Sequence, residues 1–361
     1  MRTPTIYIPD THGVPEGLLV SLVFWPNYRF DIPEKRLFLR DIMKAYETPF
    51  FTIVSSVREA DFVAVPFEYF FAVDSAPLYL ERAYALAKEA GKKVLLFDYT
   101  DYVDRNPKLP PHAVLFRVSA YRHHKRKNEI VMPYFVEDFG SVYGIASKRR
   151  GTTLLVGYCG QTRFESPVKR LRATLKRGLV CLQLYLSLDT YPQAHIRGIF
   201  WRQTALRALR KGGVTLRVIE RSFYSLFNKE RMFEPKQNRL EYVENLRECD
   251  LALSVRGDAN ASQRFYEALS ASRVPLFLDT DCVLPLEEII PYDEFILRVT
   301  ARDSMALCER VRVWEREQSS AEFDEKERRA REVFLSQLRL DRYFEIVFDR
   351  EKSPYKEVLF R

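Results

Sequence analysis

The chain has 361 residues, of which 47% are hydrophobic and 29% are charged, and its formal net charge is +8. This length predicts two domains, and the apolar content suffices for two cores. The longest apolar run near the start, residues 17–25, is far shorter than the roughly 20 residues that cross a bilayer, and Arg2 alone does not make a signal peptide. We therefore expect a cytoplasmic protein.

Apolar strands and amphipathic helices alternate through the first half of the chain. We predict a strand over residues 5–9, a helix over 34–46, and strands over 51–55 and 62–65. A helix over 77–90, ending before Gly91 at a C′ position, precedes strands over 93–97, 114–117 and 130–132. This alternation is typical of α/β folds.

The stretch over 140–151, which is rich in glycine and basic residues, is the predicted linker to a second half with the same alternation. That half has predicted strands over 153–157 and 214–219 and helices over 166–177, 199–211 and 239–248. We therefore predict a domain over residues 1–145, a second over 146–320, and a helical tail over 321–361 that crosses back to the first domain.

Residues 251–279 form the most informative pattern in the chain. An apolar strand enters a loop that contains Gly257, a helix opens near Ser262, and a second apolar strand follows. Backbone N–H groups and the positive end of the helix dipole suit such a loop to an anion. Arg264 adds a cation, and Glu267 presents a carboxylate on the same helical face. The same pair also fits an ordinary solvated ion pair.

This segment resembles the donor-site signature of exostosin-like glycosyltransferases, glycosyltransferase family 47. The residues that occupy the places of the signature are Gly257, Ser262, Arg264, Glu267, Ala268 and Pro275. Weaker matches follow the family's order at residues 60–67, 130–134 and 154–160. Ser272-Arg273 replaces the family's usual small residue before the second strand, and Arg256 stands where proline often precedes the glycine.

The resemblance implies a GT-B fold, in which two Rossmann-like α/β lobes face a central cleft. The first lobe would bind the acceptor and the second a UDP- or GDP-linked sugar, with transfer to a glycan hydroxyl by direct, inverting displacement. Because ligands of open α/β sheets bind beyond the carboxyl ends of strands, the sequence predicts a set of donor-binding residues there. They are Gly160, Arg163, Arg256, Gly257, Ser262, Arg264 and Glu267.

Their expected roles follow from the charge of the donor. Arg264, Arg163 and the amides around Ser262 would meet the negative charge that develops on the leaving diphosphate. Glu267 would hold the ribose hydroxyls.

Inverting transfer needs a general base, which we expect in the first domain. Glu68 lies just beyond a strand-end proline, and Asp98 and Asp101 lie just beyond the following predicted strand. These three are the catalytic candidates, while Asp10 and His12 occupy the equivalent loop of the first strand. Each aspartate also fits an ordinary turn former, and Glu68 also fits an ion pair with an arginine.

We expect no required cofactor, because the nucleotide sugar is a substrate. Asp279-Thr280-Asp281 resembles the Asp-x-Asp metal motif of the other large transferase fold, but arginines and a helix terminus already suit the diphosphate. A divalent metal is therefore compatible with the sequence but not expected. The five cysteines are widely spaced in mostly apolar surroundings, which predicts buried thiols rather than disulfides or a zinc site.

Basic residues cluster at 123–127, 148–150 and 207–211. They suit either nucleic acid or a solvated surface that attracts anionic donors, anionic glycans or inner-leaflet headgroups. No nucleic-acid motif accompanies them, so we expect a glycan or glycoconjugate acceptor, peripheral contact with the inner membrane face, and no nucleic acid. Two other functions stay open: a nucleotide-sugar epimerase or hydrolase, and a non-catalytic polyanion- or glycan-binding protein.

Overall fold

The computed structural model describes residues 3–28, 42–46, 48–148, 151, 153–186, 196–222 and 235–361. The predicted helix over 34–46 lies mostly outside these ranges, as do residues 149–150 of one basic cluster. The chain divides into two compact units. The first comprises Met1–Phe135, Val283–Ile289 and Ser336–Arg361, and the second comprises Val136–Cys282 and Ile290–Leu335.

The first unit is built on a six-stranded parallel sheet in the order β2-β1-β3-β4-β5-β6. Its strands are β1 (Thr5–Tyr7), β2 (Thr52–Ile53), β3 (Phe62–Glu68), β4 (Val94–Asp98), β5 (Ala113–Arg117) and β6 (Glu129–Val131). Every residue of β3, β4 and β5 is buried. Their continuous apolar character follows from this burial, because helices and loops cover both faces of a parallel sheet.

Helices α1 (Tyr69–Ser75) and α2 (Pro77–Glu89) follow β3 directly. Pro77 occupies the first turn of α2, and Gly91 just beyond its end has φ +65°, a left-handed conformation that glycine adopts without strain. Ala83 and Ala87 face the sheet and pack into its core. The structure thus contains the predicted helix over 77–90, followed by the glycine predicted to end it.

The second unit contains a five-stranded parallel sheet in the order β11-β10-β9-β7-β8. Its strands are β7 (Leu155–Gln161), β8 (Thr215–Arg221), β9 (Leu251–Val255), β10 (Val274–Asp279) and β11 (Leu297–Thr300). Its helices are α3 (Phe139–Tyr143), α4 (Pro167–Tyr185), α5 (Gly198–Lys211), α6 (Pro235–Glu248), α7 (Gln263–Ser270), α8 (Leu307–Glu317) and α9 (Ser320–Val333). Both units are therefore Rossmann-like parallel α/β structures, which confirms the predicted fold class.

The end of the chain returns to the first unit through α10 (Leu340–Val347), and α11 (Lys356–Phe360) follows it. Phe344 of α10 packs against Phe50, Phe51 and Phe97. This aromatic cluster accounts for the return of the tail that the sequence predicts.

The boundaries of the two compact units differ from those of the predicted domains. The first unit ends at Phe135, so α3 and the start of the predicted linker belong to the second unit. Helix α9 also belongs to the second unit, because its Glu327 pairs with Arg273 at 3.3 Å. Residues Val283–Ile289 belong to the first unit, where Val283 packs with Ala120.

Candidate anion site of the second unit

The loop between β9 and α7 lies at the carboxyl end of the second sheet. Helix α7 begins at Gln263, and Ser262 before it is extended, with φ −130° and ψ 119°. The loop is closed by the Gly257 N–H, which donates to the Ala261 carbonyl at 3.4 Å. The Asn260 side-chain amide donates to the Asp281 carbonyl at 3.1 Å. The loop thus holds the N-terminal end of α7, with its partial positive charge, at the sheet edge.

Arg264 points from the first turn of α7 to the end of β7. Its guanidinium carbon lies 4.8 Å from the centre of the Tyr158 ring, and its Nη1 donates to the Tyr158 hydroxyl at 3.5 Å. Gly160 makes this position available, because a Cβ there would overlap the guanidinium. The structure therefore brings together two predicted donor residues that are more than 100 positions apart in the chain.

The polar atoms of Arg264 are poorly satisfied. Within the described part of the chain, its Nε is buried and has no hydrogen-bond partner. Burial opposes the charged form, but the neighbouring Tyr158, Tyr242, Cys159 and Glu267 together raise the pKa of Arg264. The site thus contains a permanent cation with unused hydrogen-bonding capacity, which is what an anionic ligand requires.

Glu267 lies one turn further along α7 and is buried. Its carboxylate accepts a hydrogen bond from the Tyr242 hydroxyl and another from the Gln263 amide at 3.3 Å. Burial and the nearby Glu267 raise the pKa of Tyr242 well above its ordinary value, so the phenol stays protonated and donates. Because a carboxylate can accept about four hydrogen bonds, Glu267 retains capacity for further donors.

Helix α5 packs against the backbone of this loop. Arg202 donates from Nε to the Arg256 carbonyl and from Nη1 to the Gln161 carbonyl, each at 3.1 Å, and so joins the ends of β9 and β7. Gly198 lets the start of α5 approach, because a Cβ there would overlap the backbone oxygens of Arg256 and Gly257. The Arg256 side chain is itself buried and donates to the Asp258 carbonyl at 2.9 Å, which holds the loop.

Arg163 is exposed at the end of β7, where its N–H donates to the Arg221 carbonyl at 3.2 Å. The neighbouring Glu220 accepts from the Thr162 hydroxyl and from Arg210, both at 2.6 Å, and these bonds lower the pKa of Glu220. The Arg163 side chain lies just beyond the carboxyl end of β7 and is in contact with solvent.

The Asp-x-Asp segment is part of the same sheet edge. Asp279 accepts from the Cys282 N–H at 2.8 Å and pairs with Arg298 at 3.2 Å. Across the described ranges, no three side chains of His, Cys, Asp or Glu are grouped so that they could hold a metal ion.

The three catalytic candidates lie at the carboxyl ends of β3 and β4 in the first unit. Glu68 is 0% exposed and accepts from the Tyr99 N–H at 2.5 Å. Asp98 is 1% exposed and accepts from the Thr100 hydroxyl at 2.7 Å and the Phe70 N–H at 3.3 Å. Burial raises the pKa of Asp98, although Thr100 and Arg117 oppose the increase. Asp101, in contrast, is exposed.

Three residues of the site did not emerge from the sequence: Tyr158, Arg202 and Tyr242. Tyr158 is the second residue before Gly160 and lies just beyond the predicted strand over 153–157. Arg202 and Tyr242 lie on helices whose patterns indicate packing alone. A sequence signal exists only for Arg202, because Gly198 one turn earlier marks a close backbone approach.

Comparison with known proteins gives a distant structural match. No protein-family model and no curated protein sequence matches the chain. Among solved structures, the crystal structure of a glycosyltransferase from Rickettsia africae ESF-5 matches 92% of this chain and 85% of its own, with 12% identity and a TM-score of 0.38. Among the described residues, none of the helices has the length and apolar character needed to cross a membrane.

Proposed function

We infer that the protein is a glycosyltransferase that binds the diphosphate of a UDP- or GDP-linked sugar where β7 meets α7. The observation that carries this proposal is the Arg264 guanidinium, which lies on Tyr158 beside Gly160 with its Nε buried and unpartnered among the described residues. The resemblance of residues 251–279 to the exostosin-like donor signature supports the same class.

The chemistry of transfer matches this arrangement. As the bond to the anomeric carbon breaks, negative charge develops on the leaving diphosphate, and a fixed cation beside a helix N-terminus stabilises it. Glu267, one turn further on, would accept hydrogen bonds from the ribose hydroxyls. The exposed Arg163 would supply a second cation from the end of β7. We propose no metal in this step, since these groups already provide the positive charge.

The second reactant would be a glycan or glycoconjugate hydroxyl, activated by a carboxylate of the first unit. Of the three predicted bases, Asp101 is supported by exposure, because a base must come within hydrogen-bond reach of the hydroxyl it deprotonates. Glu68 and Asp98 are enclosed and already accept hydrogen bonds from the backbone.

A thermal-shift screen with UDP, GDP, ADP and CMP tests the donor half of the proposal. A ligand that binds only the folded state raises its stability by mass action, so UDP or GDP should raise the unfolding temperature in a saturable manner. No shift with any nucleotide at millimolar concentration would refute the proposal.

Transfer from the corresponding sugar nucleotide tests the catalytic half. Asp101→Asn should lower kcat by about 10²- to 10⁴-fold, the usual contribution of a general base, while donor binding is unchanged. The exposed Asp104 provides the matched control, Asp104→Asn. Full activity of the Asp101→Asn enzyme would exclude Asp101 as the base.

A further inference from the structure

Helix α4 exposes a continuous row of large apolar side chains. Val168, Leu171, Leu175, Leu179 and Leu182 are spaced three or four residues apart, which places them on one face of the helix. Each is between 52% and 62% exposed. We call this set the apolar stripe.

The opposite side of α4 holds the helix on the second unit. Ala173 and Val180 are buried, and Ala173 packs with Ile199 and Phe200 of α5. The Arg177 guanidinium lies 5.0 Å from the centre of the Phe200 ring. Because these contacts use one side of the helix, the apolar stripe on the other side points away from the core of its unit.

All the charged residues of α4 are cations. Its cations are Lys169, Arg170, Arg172, Lys176 and Arg177, and residues 166–188 contain no aspartate or glutamate. Two copies of this helix paired through their stripes would bring cations together, which disfavours self-association. An apolar stripe bordered by cations is the pattern of a helix that lies in the interface of an anionic bilayer.

We propose that the apolar stripe of α4 docks the protein on an anionic lipid surface. The leucines would enter the boundary between headgroups and acyl chains, and the flanking cations would meet the lipid phosphates. The stripe shares no residue with the anion site at α7, so the proposal does not depend on the proposed function.

Vesicle flotation of the full chain tests the proposal. The protein should bind vesicles of phosphatidylcholine mixed with phosphatidylglycerol and bind pure phosphatidylcholine at least about tenfold more weakly, because each cation near an anionic surface contributes about fivefold. The triple variant Leu171→Glu, Leu175→Glu, Leu179→Glu should lose at least about tenfold in partitioning to the mixed vesicles, since it places charge where apolar side chains enter the lipid.

Two further variants make the result decisive. Leu240→Glu, at an exposed leucine of α6 outside the stripe, should bind as the unmodified protein does. Arg172→Gln with Lys176→Gln keeps the stripe and should weaken binding about tenfold or more, which gives a second test should the triple variant fail to fold.

Three results would overturn the proposal. The first is no binding of the unmodified protein to the mixed vesicles, and the second is equal binding by the triple variant and the protein with an intact stripe. The third is a dimer in sedimentation equilibrium that the triple variant dissolves, which would assign the stripe to a second copy of the chain.

Discussion

Arg264 and Arg273 lie near opposite ends of helix α7, and their surroundings differ completely. Arg273 is 1% exposed and donates to the backbone carbonyls of Leu246, Arg247 and Ala146 as well as to Glu327. Arg264 rests on one tyrosine ring, and its Nε has no partner among the described residues.

The difference separates two uses of an arginine: Arg273 is buried, and Arg264 is partly exposed. At the C-terminal end of α7, every donor group of the guanidinium binds a protein oxygen, so Arg273 joins β10, α6 and α9 into one structure. At the N-terminal end, Nη1 of Arg264 donates only a long bond to the Tyr158 hydroxyl and Nε has no partner among the described residues, so the charge is available to a ligand. Substitutions at the C-terminal end should therefore reduce stability, and substitutions at the N-terminal end should reduce ligand binding.

The largest expected effect is on stability, at the C-terminal end. Arg273→Ala leaves the enclosed Glu327 carboxylate without its cation and should lower the free energy of unfolding by about 3–5 kcal/mol. Urea denaturation at about pH 8 measures it. Arg264→Ala is the matched control and should cost less than about 1 kcal/mol. Similar losses in both variants would remove the distinction between the two ends.

A second expected effect is a pH dependence of the free energy of unfolding, which arises at the same C-terminal end. Burial raises the pKa of Glu327 from 4.5 to about 7, with Arg273 opposing the increase. Between these two pH values the folded protein keeps Glu327 protonated while the unfolded chain releases the proton. The resulting contribution of Glu327 to the free energy of unfolding is complete below about pH 4.5 and is lost as pH rises through 7. It amounts to about 3 kcal/mol at 1.36 kcal/mol per pKa unit.

Glu327→Gln isolates this contribution, because the amide does not titrate. The difference in unfolding free energy between the unmodified protein and the variant should change between about pH 4.5 and pH 8, in the direction that favours the unmodified protein at low pH. A difference that stays constant over this range would contradict the assignment.

The third prediction concerns the N-terminal end of α7. Gly160→Ala should displace the Arg264 guanidinium, which is the mobile end of a long side chain, so stability changes little while nucleotide affinity falls about a hundredfold. Gly178→Ala on α4 is the control, because a Cβ there meets no atom of the described residues outside its own helix within 4 Å. Calorimetry with UDP or GDP measures the nucleotide affinity of both variants. Unchanged affinity at position 160 would place the ligand elsewhere.

The smallest expected effect is at Glu267. Glu267→Ala should reduce use of the sugar donor by at least about tenfold, because one charge-assisted hydrogen bond to the ribose, worth about 1.5 kcal/mol or more, is lost. Glu267→Gln can still accept from Tyr242 and should lose less. The measurement is kcat/KM for the donor, and an unchanged value in the alanine variant would exclude Glu267 from donor binding.

The local patterns of the sequence predict much of the fold. The buried runs of β3 and β4 and the amphipathic pattern of α2 predict those elements, and the loop before α7 predicts a cation and a carboxylate on one helical face. Local pattern does not predict that Arg264 reaches Tyr158, or that Arg273 pairs with Glu327 of α9, since such contacts join distant segments. For the same reason the sequence placed α9 in a tail, whereas this ion pair includes it in the second unit.

The most direct test of the central claim is a calorimetric titration of the unmodified protein, Arg264→Ala and Arg302→Ala with UDP and GDP. Arg302 is exposed and lies outside the site, so its variant controls for the loss of one positive charge. Saturable binding by the unmodified protein and by Arg302→Ala, with at least about a hundredfold weaker binding by a stably folded Arg264→Ala, is the predicted result. Equal affinity of Arg264→Ala, or no nucleotide binding by the unmodified protein, would contradict it.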